Sequence, residues 1–69
     1  MKTIGENLKI IRKELGLTQK EFAEKLGYGF QNISNWEKNR NIPTVHTIKK
    51  IHEIFGVEYD ELYDYDLAD

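Results

Sequence analysis

A chain of 69 residues makes one domain, close to the lower size at which packing alone holds a fold. It contains no cysteine, so neither a disulfide nor a thiolate metal site can support it, and short helices around a close-packed core are the solution its length favours. The formal net charge is −2, but residues 1–57 carry all ten Lys and Arg against six Glu, a formal +4, while residues 58–69 carry six acidic residues and no base, a formal −6. A basic body with an acidic end leaves a polyanionic partner open where the total alone would argue against one. No apolar run is long enough to span a membrane. Met1 to Thr3 lead into an amphipathic pattern rather than a signal-peptide apolar region, and the expectation is a soluble, cytoplasmic protein.

Ile4, Leu8, Ile11 and Leu15 recur every three or four residues, the stripe of an amphipathic helix that Gly16 ends. Ile10 lies off that stripe, either partly exposed or adding to the packing. Thr18 opens the second helix, Glu21 completes a capping box, and Leu17 and Phe22 stand where a hydrophobic staple sits. Phe22, Ala23 and Leu26 face inward, Lys20, Glu24 and Lys25 outward, and Gly27 stops the helix.

Gly29 is the N-cap of a third helix, about Phe30 to Lys38, and Asn39 is a residue type that tolerates the left-handed conformation ending it. At 100° per residue Ile33 and Trp36 fall on one side, and Gln31, Ser34, Asn35 and Lys38 on the other. The outward side has amides, a hydroxyl and a cation but no carboxylate. Such groups suit base edges in a DNA major groove, where amides pair bidentately with adenine; a merely solvated helix face is the plainer alternative. Asn39 to Pro43 form a polar loop with Ile42 as its apolar anchor. Thr44 caps a fourth helix whose inward stripe is Ile48, Ile51 and Phe55, helped by Val45 and Ile54, and Gly56 ends it. Val57 packs back on the core, Asp60 to Tyr63 suggest a last short helix, and Leu62 closes the core. Residues 1–63 form the domain and 64–69 an acidic, frayed tail.

Three runs carry a resemblance: IGENLKIIRKELGLTQKEFAEKLG (4–27), ISNWEKNRNIP (33–43) and GVEYDEL (56–62). Together they resemble the Xre-like helix-turn-helix domains of the Cro and phage-repressor type along nearly the whole chain. The resemblance implies an all-α, lambda-repressor-like bundle of five helices whose second and third form the DNA-binding unit. It implies a DNA-binding transcriptional regulator, of repressor type, acting on double-stranded DNA; the residues themselves offer no cofactor or metal site. Gln19 would then hold a phosphate. Phe30, Gln31, Asn32 and Asn35 would meet bases or flanking phosphates, and Lys38, Asn39 and Arg40 would grip the backbone. Arg12 and Glu37 occupy an ion-pair position tying the first helix to the third.

The chain departs from the family pattern at Gly29, Phe30 and Asn39, where relatives often have Ser or Thr, a polar residue, and Gly. Phe30 could touch a thymine methyl or fold inward. His52 reads as a partly buried histidine against the core. Tyr59 and Tyr63, with Tyr65 and Leu67, could form a weak homodimer or simply cover the end of the bundle. Catalysis lacks material: His46 and His52 have no cysteine partner, and there is no Gly-rich phosphate loop. The rival reading is a helix-turn-helix module, an antitoxin or accessory factor, that binds mainly a protein.

Overall fold

The computed structural model describes residues 2–63, and the regular structure among them is all helical: α1 (Ile4–Glu14), α2 (Gln19–Leu26), α3 (Phe30–Glu37), α4 (Val45–Phe55) and α5 (Tyr59–Leu62). The stretch expected to be a tail, 64–69, lies outside the described residues, as do Tyr65 and Leu67.

Threonines set three of the helix starts. Thr3, Thr18 and Thr44 take extended backbone, and their hydroxyls accept hydrogen bonds from the N–H groups of Glu6, Glu21 and Thr47. Each such cap contributes about 1 kcal/mol by satisfying a donor that the helix itself leaves unpaired. At Thr3 and Thr18 the third residue on is a glutamate whose carboxylate accepts the cap N–H at 2.8 Å, closing a capping box at both sites. In contrast, α3 starts at Gly29 with no side-chain cap, so packing of its buried Ile33, Trp36 and Glu37 must hold it.

These inward residues meet in one core. Leu8 and Ile11 from α1, Phe22, Ala23 and Leu26 from α2, Ile33 and Trp36 from α3, and Ile48 and Ile51 from α4 join Val57 and Leu62. α3 packs on α1 and α2, α4 on α2, and α5 on α1. The Phe22 and Phe55 rings stack with centroids 4.6 Å apart, and Tyr28 meets Trp36 edge-on at 5.7 Å. Asn7 ties α5 to α1, its buried amide donating to the Leu62 carbonyl at 2.9 Å. His52 is half-buried, with Nδ1 2.7 Å from the Val57 carbonyl oxygen and its ring stacked on Tyr59.

Four apolar residues do not take the inward places expected of them. Leu15, Val45 and Ile54 are exposed rather than part of the inward stripes. Leu15 is the C-cap of α1, where the chain has already begun to turn away, and Val45 is the first residue of α4, before that helix reaches the core. Ile42 does not anchor the loop: it is 69% exposed, and Pro43 beside it is the buried residue.

Candidate nucleic-acid interface

The turn between α2 and α3 is made by Gly27, at φ 82°, a left-handed conformation that glycine adopts without a Cβ penalty. Its N–H donates to the Glu24 carbonyl at 3.2 Å and that of Tyr28 to the Ala23 carbonyl at 3.0 Å, which closes α2 within two residues. The Tyr28 hydroxyl lies 2.9 Å from the Thr47 hydroxyl, which is 3.2 Å from that of Thr44. The start of α3 is thereby pinned to the first turn of α4.

Three contacts fix the other end of α3. Arg12 Nε donates to Glu37 Oε2 at 2.6 Å and Nη2 to Oε1 at 3.1 Å, a bidentate pair, while Nη1 donates to the Leu17 carbonyl at 2.8 Å. Gln19 Nε2 adds a bond to Glu37 Oε1 at 3.0 Å. The sole carboxylate of α3 is therefore buried and fully engaged. Gly5 supplies the third contact: a Cβ built there would stand 2.0 Å from the Trp36 carbonyl oxygen and 2.7 Å from Asn39 Oδ1. Only a residue without a side chain allows α1 this close to the end of α3.

Past Glu37, Asn39 takes φ 61°. Its N–H donates to the Trp36 carbonyl at 3.1 Å and that of Arg40 to the Asn35 carbonyl at 2.9 Å, the two bonds of a Schellman motif. This turn folds the chain back, and Arg40 joins Phe30, Gln31, Ser34 and Asn35 around one shallow, open hollow.

The residues expected at the interface thus separate by place. Phe30, Gln31, Asn35 and Arg40 share the hollow. Phe30 is exposed and does not fold inward. Asn32 and Lys38 are exposed outside the hollow's lining, the Asn32 amide 3.4 Å from the Gly29 carbonyl oxygen. Asn39 lies over Gly5, and Gln19 is half-buried with its amide engaged by Glu37. Ser34 also lines the hollow, and its place one turn after Phe30 is the signal that finds it.

Two short helices joined at a left-handed glycine, the second braced from behind and polar in front, define a helix-turn-helix domain. A family model described as Helix-turn-helix matches residues 8–62, and the chain belongs to that family. It is similar to the HTH-type transcriptional regulator ImmR of Bacillus subtilis (strain 168), 40% identical over 60 residues, which cover 87% of this chain and 47% of that protein. An uncharacterised HTH-type transcriptional regulator, y4dJ, of Sinorhizobium fredii is 38% identical over 61 residues, 88% of this chain and 79% of that one. The immunity repressor protein of Bacillus phage phi105 is 32% identical over 56 residues, 81% and 39% of the two chains. The chain spans about half the length of the Bacillus subtilis relative. No helix among the described residues is long and apolar enough to cross a membrane.

Proposed function

We propose that this chain binds double-stranded DNA sequence-specifically, as a transcriptional regulator of repressor type in the cytoplasm, with α3 in the major groove. The observation that carries the reading is the sorting of polar groups on α3. Gln31, Ser34 and Asn35 line the outward hollow, while Glu37, its only carboxylate, is buried against Arg12 and Gln19. A carboxylate on the outer face would repel phosphates; amides there can pair with adenine and a hydroxyl is permissive. Lys38 and Arg40 would position the domain on phosphates, helped by Asn32 and Asn39 at the two ends of α3, and Gln19 would use its second amide N–H in the same way. Binding, not catalysis, is the activity.

Regulators with this motif use two-fold pairs on half-sites one DNA turn apart. Tyr59, 41% exposed on α5, would supply the amphipathic aromatic surface of a weak homodimer, with Tyr63, half-buried against the core, at its edge. Selection from a random duplex pool tests the reading. One sequence should be enriched, and Gln31→Ala or Asn35→Ala should each relax one or two of its positions by about 1–3 kcal/mol of discrimination. A pool from which nothing is enriched would favour the protein-interaction module instead.

A further inference from the structure

Phe30, the first residue of α3, stands apart from the rest of that face. The residue is 52% exposed, and among the described residues its ring packs on no other ring. A Cβ built at neighbouring Gly29 meets nothing within 4 Å, so the space before the helix is open as well. A phenyl group half in water forgoes about half of the stabilisation that full burial gives an aromatic side chain.

The ring is nevertheless part of the polar hollow. Helical spacing sets two rows there, Phe30 one turn from Ser34 and Gln31 one turn from Asn35, with Arg40 at the margin. Phe30 is the one apolar side chain of the set. Base pairs present donors and acceptors in the major groove, and a single apolar group, the C5-methyl of thymine. A phenyl ring satisfies no donor or acceptor, and covering one leaves it unpaired at a cost. The methyl is the complement that remains, and the amides beside it suit the adenines of an A·T-rich site.

We propose that Phe30 is a specificity-determining residue that packs on a pyrimidine C5-methyl, that of a thymine, next to the base pairs addressed by Gln31 and Asn35. The inference rests on the major-groove reading above. Its test uses the full chain and the duplex enriched from the random pool, titrated by fluorescence anisotropy. Each thymine is replaced in turn by deoxyuridine, which removes the methyl and keeps the pairing edge.

At one position in each half-site the replacement should weaken binding about fourfold, the worth of one buried methyl. Phe30→Ala should reduce that ratio to near unity, and Phe30→Leu should retain it. Methylating C5 of a cytosine·guanine pair placed at the same position should strengthen binding by about the same factor, because the ring meets the methyl and not the pairing edge. No gain from that methyl would overturn the contact. Equal affinity for thymine and uracil at every position would overturn the role of Phe30 while leaving DNA binding intact. Failure to enrich any duplex would overturn both.

Discussion

Replacing Arg12 with leucine is expected to destabilise the chain by about 3–5 kcal/mol, the loss seen when one partner of a buried ion pair is removed. Burial decides the magnitude: the Arg12 and Glu37 side chains are only 10% and 3% exposed. An exposed pair would be worth about 1 kcal/mol or less. The variant loses both bonds to Glu37 and the one to the Leu17 carbonyl. The Glu37 carboxyl then stays buried without its cation, with Gln19 as its one side-chain donor. A domain this small has a total stability of roughly 3–10 kcal/mol, so the variant should sit near its unfolding midpoint in dilute buffer. Leucine at both positions should restore much of the loss, because an apolar pair of similar volume replaces a buried ion pair at little net cost. Urea denaturation followed by Trp36 fluorescence and far-ultraviolet dichroism measures all four corners of the cycle. Single losses below about 1 kcal/mol each that add in the double variant would refute the brace.

Trp36→Ala should cost about 3–5 kcal/mol, read from the same denaturation curves by dichroism; an indole open to acrylamide quenching in the wild type would contradict its burial. Lys38→Ala and Arg40→Ala should weaken specific and random duplexes alike, each lowering the slope of log affinity against log salt by about one; unchanged slopes would remove them from the phosphates. Hydrogen bonds from the Thr18 N–H and then its hydroxyl hold the Glu21 carboxyl below the usual carboxylate range. The stability this contributes is present above the unfolded-state value and lost as pH falls through the folded one. The melting-temperature gap between wild type and Glu21→Gln should therefore shrink on acidification below about pH 4, and a pH-independent gap would count against it. Sedimentation at high concentration should show a weak dimer that Tyr59→Ser abolishes; a clean monomer in the wild type removes the α5 interface.

Local signals were the most legible in the sequence. Thr18 with Glu21, Thr44, and the glycines after α2 and α4 mark helix ends through chemistry confined to a few residues, and the structure uses them so. The box at Thr3 and Glu6 carries the same signature at the chain's start, where it is easily passed over. Periodicity located the core but overreached at helix ends: Leu15 and Val45 have the right spacing, but there the helix has left or not yet met its neighbours. Long-range geometry was not legible. Spacing shows that Gln31 and Asn35 share a face, but not that Arg40 returns to it through the turn at Asn39. Neither the Gln19 bond to Glu37 nor the need for Gly5 beside Trp36 could be read before the helices were packed.

The contact at Gly5 bears on how such a protein can change its target. The backbone of α1 bears directly on the Trp36 carbonyl, and the side chains that hold α3 are Ile33, Trp36 and Glu37. None of Phe30, Gln31, Ser34 and Asn35 belongs to the core cluster. On the proposed DNA-binding reading, framing and reading draw on different letters of one short helix. Substitutions at such outward positions usually change stability by no more than about 0.5 kcal/mol. If that reading holds, new recognition sequences can be tried one residue at a time with the helix still seated on Ile33, Trp36 and Glu37. Buried Gly5 is the position where the same freedom is missing: any side chain there would push on the Trp36 carbonyl and shift the whole outward face of α3 at once.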